Sequence, residues 1–485
     1  MAKRKVDHPA NTGQMKLSRA AYSWSLLAAL IWLSLLISCK KDEDNLTQDE
    51  KNIEVSKWLY DWMKDVYFWN ETFPGSINVQ EKTDPEAFFY ELVYDEEDKW
   101  SYITDDWKSL ESELSGTPLS MGYSPAFGVF SGTDRVFIVV EYVYPESPAF
   151  AAGLNRGDII LTINGEYMDT IDYYDLYSQS SYTAGLGVYE NNTISLSGKT
   201  IAMTAASFSA DPLIFDSVYT IADRKIGYMV YTEFINGDNN QYRPSLDRLF
   251  DLYKSNGISD VIIDLRYNPG GEIEASGYLA SALAPYSVVS SSSTLVTFLY
   301  NKELQSRFEK KEGPESENLV YKFPANSHNL DLSRVYFLTT NYSASASELL
   351  MVGLRPYMDV RIVGEQTYGK YTGMWVIYDF DKPPAHNWAI LPIVLKYANS
   401  LGYTDFKNGL EPDIAVEDNL LKAKPFGDTE DPVLSAALQD ITGLYLKSVR
   451  FVEKPGYMRL DNGTDRIRRN VFIPRKIQQG VLNTH

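Results

Sequence analysis

SDVIIDLRYNPGG, Ser259 to Gly271, reads as a buried strand that runs out into a turn with consecutive glycines. Its apolar core, Val261 to Ile263, has no polar alternation, the pattern of a strand covered on both faces. The flanking segments repeat the theme. RKIGYMVYTEF before it reads as a strand, and SLDRLFDLYKSNG as an amphipathic helix closed by glycine; ASGYLASALA follows as helix, SRVYFLTTN as strand and SASASELLMVGLR as helix. Strands alternating with helices predict an α/β unit with a mostly parallel sheet and helices packed on it. Functional groups in such sheets gather at the carboxyl ends of strands. Two ends therefore matter: DLRYNPGG, Asp264 to Gly271, and NYSASASE, Asn341 to Glu348.

Working outward, a chain of 485 residues exceeds what one core organises, so several units are expected within a mixed α+β multidomain protein. Residues 39–52 are polar and read as a tether. Residues 53–117 carry Trp58, Leu59, Trp62, Val66 and Trp69 at helical spacing, then DPEAFFYELV, and read as an N-terminal helical domain with an aromatic stripe in its core. From 118 to 207 the pattern becomes short strands separated by glycine. There SPAFAAGL offers a serine cap and a short helix, RGD a turn, and IILTING a strand turning at Asn164-Gly165. This stretch resembles a PDZ domain. The resemblance implies that an extended peptide adds as a strand, with Phe127, Gly128 and Val129 in the loop that would meet its carboxylate. Residues 208–425 form the αβ core, and 426–485 a C-terminal helix and basic tail.

The formal charge of −20 argues against nonspecific nucleic-acid binding, which needs clustered Lys and Arg. Only the end is locally basic, with Arg466, Arg468, Arg469, Arg475 and Lys476. Cys39 is the sole cysteine, so no intramolecular disulfide and no cysteine metal cluster can form. It follows an uncharged, mostly apolar run, Ala20 to Ser38, with Lys16 and Arg19 before it and LISC at its end. Residues 1–39 resemble a bacterial lipoprotein signal, with 1–38 as the signal peptide, Met15 as an alternative start and Cys39 as the lipidated residue. KKDEDN after it resembles the export signal of surface lipoproteins. The resemblance implies a lipid-anchored protein of the cell envelope, at the outer membrane; the alternative is an uncleaved signal anchor, since such a run just spans a bilayer.

The chemistry follows from the two strand ends. Consecutive glycines can turn backbone N–H groups toward a substrate, and the NYSASASE serines open a helix whose amino end carries unpaired N–H groups. Acyl transfer needs a nucleophile beside such donors. A serine also needs a base. Of four histidines, His8 lies in the leader and His485 at the end, leaving His328 and His386; the alternative is Lys370, in GEQTYGK, since burial lowers a lysine pKa toward neutrality. There is no HExxH and no GxxxxGK[ST] pattern, so neither metal nor cofactor is expected.

DLRYNPGG, NYSASASE, GEQTYGK and NGLEPDIAV, in that order after a PDZ-like unit, resemble the carboxy-terminal processing (tail-specific) proteases. The likeness covers about Asp98 to Val416. It implies a ClpP/crotonase-like αβ protease core and a serine endopeptidase acting on proteins held by their carboxyl-terminal tails. It further implies Ser345 as nucleophile, Lys370, twenty-five positions later, as base, and oxyanion donors from the backbones of Gly270 or Gly271 and of Ala346. Ser343 and Ser347 then become turn and cap residues, and Glu348 a partner for backbone donors. Two positions depart from the pattern: Tyr371 replaces a glycine, and Met374 replaces the glutamine that orients the lysine, with Thr372 as the alternative partner. Two rival readings follow, a peptide-binding lipoprotein of the same fold with impaired catalysis, and a hydrolase whose base is His386.

Overall fold

The computed structural model describes residues 46–114, 117–191, 193–380, 384–404, 406–444, 457–459 and 471–472. The signal stretch, Cys39 and the basic residues Arg466 to Lys476 lie outside the described residues. No helix among the described residues is long and apolar enough to cross a membrane.

The first helix, Gln48–Val66, begins inside the expected tether. Thr47 starts it with a capping box: its hydroxyl accepts from the Glu50 N–H at 3.3 Å, and Glu50 Oε2 accepts from the Thr47 N–H at 2.9 Å. Asp84 caps the helix Pro85–Leu92 by accepting from the Ala87 N–H at 3.0 Å, with proline in the first turn. Leu59, Met63, Val66, Phe88 and Phe89 are buried in the same apolar cluster as Ile263, Leu349 and Trp375 of the core. The expected helical domain is thus a layer on the αβ core, with a continuous hydrophobic interior. Strand Tyr102–Thr104 adds backbone pairing to that union, running antiparallel to Ala389–Leu391. Asp98 fixes this junction. Its carboxylate accepts from Tyr67 Oη and from the N–H groups of Trp100 and Ser101, each at 2.9 Å, and Ser101 Oγ accepts from the Ile393 N–H.

The PDZ unit has its own core of Ile138, Val140, Ala149, Leu154, Ile160 and Ile163. Ser147 caps the short helix Pro148–Ala151, and Asn164 and Gly165, both at positive φ, make the tight hairpin turn. Leu119–Ser120 pairs antiparallel with Ala206–Ser207. One expectation is corrected: Phe127, Gly128 and Val129 form the middle of a regular strand, Tyr123–Phe130, rather than a carboxylate-binding loop. The Phe127 ring faces the PDZ interior, 5.1 Å from Tyr173 and 5.2 Å from Tyr177, because successive side chains of the strand point to opposite faces, both of them covered here.

The core sheet has six strands in the order Leu213–Ile221, Arg224–Tyr231, Asp260–Asp264, Arg334–Thr339, Asp359–Gly364, Ile414–Ala415. The first pair is an antiparallel hairpin and the remaining pairings are parallel. Side chains of Asp260–Asp264 alternate between two apolar layers. Val261 and Ile263 meet the helices Arg243–Asn256, Ile273–Leu283 and Ala346–Leu354, whereas Ile262 meets Val433, Leu434 and Leu438 of the helix Pro432–Thr442. That last helix therefore covers the second face of the core sheet and belongs to the core, so the core extends past the expected limit at 425.

PDZ unit and core share a buried charge cluster. Arg266 is buried and pairs with Asp264 at 2.7 Å, Asp418 at 2.9 Å and Asp431 at 3.0 Å, and Arg156 of the PDZ unit reaches Asp418 at 3.6 Å. Burial would raise the Asp418 carboxyl, but Arg266 and Arg156 outweigh it and hold Asp418 below the usual carboxylate range.

Candidate active site

The strand Asp260–Asp264 leads through Arg266 and Tyr267 into Asn268-Pro269-Gly270-Gly271, and the strand Arg334–Thr339 leads into the serine turn. These two loops are stitched together. Ser343 Oγ donates to the Leu265 carbonyl at 2.7 Å, Ser347 Oγ to the Asn268 carbonyl at 3.0 Å, and the Ala344 N–H to that same carbonyl at 3.1 Å. Two of the three serines thus spend their hydroxyls on the neighbouring loop. The hydroxyl of Ser345, equally buried, has no hydrogen-bond partner among the described residues. Its backbone sits at φ 61°, ψ −112°, a conformation that costs a non-glycine residue about 1–3 kcal/mol. Ser345 is the residue that starts the helix Ala346–Leu354, so the positive end of that helix adjoins it.

The glycine pair fits only as glycine. A Cβ on Gly271, at φ 137°, would lie 2.2 Å from the Phe234 carbonyl oxygen, and one on Gly270, at φ 108°, would lie 2.7 Å from Ser345 Cβ and 2.9 Å from the Ala346 nitrogen. The NPGG turn is therefore pressed directly against the serine turn. The Gly270 N–H is used internally, donating to Asn268 Oδ1 at 2.9 Å. That removes Gly270 from the expected donors and leaves Gly271 and Ala346.

Lys370 is fully buried. Its Nζ donates to Met374 Sδ at 3.2 Å and lies 5.9 Å from the centre of the Trp100 ring. The thioether thus stands where the sequence pattern lacks its glutamine. Thr372, the other candidate for that role, has a buried hydroxyl with no partner among the described residues.

Two side chains bind the backbones of Ser345 and Lys370 to each other. Glu348 Oε2 accepts from the N–H of Ser345 and from the N–H of Lys370, both at 2.8 Å, so the two nitrogens lie within twice that distance of each other. Tyr397 Oη meets the carbonyl oxygens of the same residues, at 3.1 Å from Ser345 and 2.9 Å from Lys370. Glu348 Oε1 takes the remaining load, accepting from Thr367 Oγ1 at 2.6 Å and the Gly369 N–H at 2.7 Å. Burial pushes the Glu348 carboxyl up to about 7, against the lowering effect of Thr367 and the three backbone donors. Neither histidine is placed comparably. His386 packs on Trp58 with ring centres 4.5 Å apart, and burial lowers its pKa; His328 Nδ1 lies 2.8 Å from Asp251 at the surface.

Glu348 as a clamp was visible in the sequence as a helix-start pattern. Trp100, Asn268 and Tyr397 were not singled out. Tyr397 occupies one place in an apolar strand, and nothing in its neighbours distinguishes it from a core tyrosine.

Three family models match this chain: Peptidase family S41 over residues 225–416, the Peptidase S41 N-terminal domain over 54–102, and a PDZ domain over 139–181. Over its core the chain is similar to peptidase family S41. It is a serine-type peptidase of the carboxyl-terminal processing kind. It is 27% identical over 341 residues to a carboxyl-terminal-processing protease of Picosynechococcus sp., covering 69% of this chain and 72% of that one. With the carboxy-terminal-processing protease of Bartonella bacilliformis it shares 24% over 349 residues, 66% of this chain and 72% of that one. A crystal structure assigned to an S41 protease from Bacteroides fragilis is similar at a TM-score of 0.66 and 26% identity, covering 80% of this chain and 97% of the other. The S41 model spans both the NPGG turn and the serine and lysine turns.

Proposed function

We propose that this peptidase hydrolyses peptide bonds with Ser345 as nucleophile and Lys370 as base, on substrates engaged through their carboxyl-terminal tails. The observation that carries this reading is the clamp. Ser345, with an uncommitted hydroxyl, and Lys370, with a buried amine, are held backbone to backbone by Glu348 and Tyr397. Burial of a lysine amine disfavours its ammonium form, the condition under which a lysine serves as base.

The steps follow. Lys370 Nζ accepts the Ser345 hydroxyl proton as Oγ attacks the scissile carbonyl carbon. The N–H groups of Gly271 and Ala346 take the developing oxyanion, each such donor contributing about 3–4 kcal/mol. Collapse breaks the C–N bond, Lys370 returns the proton to the leaving amine, and an acyl-enzyme remains. Water, deprotonated by the same amine, releases the acid. Met374 Sδ, a weak uncharged acceptor, orients the amine without stabilising its charged form.

The strand Tyr123–Phe130 of the PDZ unit is the edge to which a tail would add, and lipidation at Cys39 would tether the peptidase to the bacterial envelope at the outer membrane. The test is labelling with a serine-directed acylating probe and cleavage of a fluorogenic peptide by wild type, Ser345→Ala and Lys370→Ala. Loss of both signals in both variants is expected; cleavage unchanged in either removes the assignment. Replacement of the glutamine by Met374 favours a second reading, a tail-binding protein without turnover, and that reading requires the wild type itself to bind peptide and cleave none.

A further inference from the structure

Two short strands near the end of the chain occupy places that do not belong to the fold of either unit. Tyr457–Arg459 adds antiparallel to Tyr123–Phe130, pairing Tyr457 with Phe130, Met458 with Val129 and Arg459 with Gly128. Without it, Tyr123–Phe130 is the edge strand of the PDZ sheet. Val471–Phe472 lies between two strands of the active site. It runs parallel to Gly271–Glu272, with Val471 opposite Gly271 and Phe472 opposite Glu272, and parallel to Thr372–Met374, with Phe472 opposite Met374. In the second sheet the order is Gly271–Glu272, Val471–Phe472, Thr372–Met374, Ile393–Asn399, so these two residues fill a gap one strand wide.

The walls of that gap are the strand carrying the oxyanion glycine and the strand beginning two residues after Lys370. A peptide whose carbonyl is to reach Ser345 must pass between the same walls. The PDZ edge is likewise where an incoming tail would add by backbone pairing. The end of the chain also has the charge to return to its own body: residues 457–485 carry six Lys and Arg against two Asp, in a chain of formal charge −20.

We propose that the carboxy-terminal segment of this chain is an intramolecular occupant of its own substrate track, held by strand addition at Gly128–Phe130 and at Gly271–Glu272, and that it competes there with the tails of other proteins. The competition rests on the peptidase reading above, whereas the occupancy itself does not. A segment tethered at an effective concentration of about 1 mM, with an intrinsic dissociation constant of about 0.1 mM, fills the track about nine-tenths of the time and weakens an outside ligand about tenfold.

The test uses the full chain carrying Ser345→Ala, so that no probe is consumed, and a fluorescent peptide with the sequence of Gly456 to Arg475. One version keeps the native tail; the other adds Met458→Pro and Val471→Pro, which remove strand N–H groups and oppose ladder pairing. Anisotropy is expected to give an apparent Kd about tenfold lower for the proline version. Equal values in the two versions, or no binding to the proline version, overturn the proposal, as does weakening that disappears on dilution, which would place the tail of a second copy in the track. Hydrogen exchange on the same proteins gives a second readout: the amides of Val129 and Gly271, which face the added strands, should exchange faster only in the proline version. Failure of the peptidase reading appears separately, as absent probe labelling in a protein that still binds the peptide.

Discussion

Glu348→Gln is the sharpest probe of how the site is held together. The carboxylate accepts four hydrogen bonds inside the core, two on each oxygen. An amide has one oxygen, so one pair of donors must face its NH2 group. If that is the Oε1 side, Thr367 Oγ1 can turn and accept, but the Gly369 N–H is left buried and unpaired. If it is the Oε2 side, the N–H groups of Ser345 and Lys370 are both orphaned. Each buried donor without a partner costs about 1–3 kcal/mol, so the variant should lose about 1–3 kcal/mol of stability at pH 8 in urea or guanidinium unfolding. A displacement of Ser345 relative to Lys370 approaching 1 Å costs on the order of 100-fold in rate, so kcat should fall at least about tenfold with KM nearly unchanged. The pH dependence gives an independent check. The folded-state value of about 7 lies above the ordinary 4.5, so between these the folded chain holds the proton that the unfolded chain has lost. This group's contribution is full below about pH 4.5 and is lost as pH rises through about 7, a fall of roughly 3 kcal/mol that should vanish in Glu348→Gln. A variant with unchanged unfolding midpoint, unchanged pH slope and kcat within about twofold would refute the clamp.

The other expectations are briefer. Ser345→Ala should abolish probe labelling and raise thermal stability, by about 1 kcal/mol, since it removes a buried hydroxyl that has no partner; a lowered Tm would mean the hydroxyl is structural. Met374→Gln offers the Lys370 amine a stronger acceptor than sulfur and should raise kcat/KM by about two- to tenfold on a fluorogenic peptide, whereas a loss would show that the thioether is the better partner here. Gly271→Ala places a Cβ 2.2 Å from a backbone oxygen at a left-handed φ, so both turnover and at least about 3 kcal/mol of stability should go, read by activity and by chemical unfolding. Arg266→Met leaves Asp264, Asp418 and Asp431 buried without their shared cation and should cost about 3–5 kcal/mol, measured by the denaturation midpoint.

Much of this was legible in the sequence wherever the signal was local or periodic. The apolar run Val261 to Ile263, the glycine pair, the serine cap of Pro148–Ala151 and the Asn164-Gly165 turn each announce their own backbone geometry. Ser345 and Lys370 were singled out by the family resemblance, whose motif spacing they match, and not by any local pattern. What stayed hidden depends on pairs far apart in the chain. The helices Gln48–Val66 and Pro85–Leu92 look self-sufficient, yet their apolar faces are covered by the core, which no single-segment pattern can show. Phe127 to Val129 lies at the expected place in the PDZ unit but in a strand, buried along its length by cover on both faces. Residues Tyr457–Arg459 and Val471–Phe472 sit in a polar, basic stretch whose composition gives no hint of strand pairing.

The lysine pocket is assembled from distant parts of the chain: Trp100 near the beginning, Ser345 and Glu348, then Lys370 and Met374, and finally Tyr397. A polypeptide made from its amino terminus has no complete pocket until about four-fifths of it has been synthesised, and none of the earlier pieces can form a smaller version of it. Order of synthesis thereby sets when the pocket first exists: no fragment that ends before Tyr397 holds all of its walls.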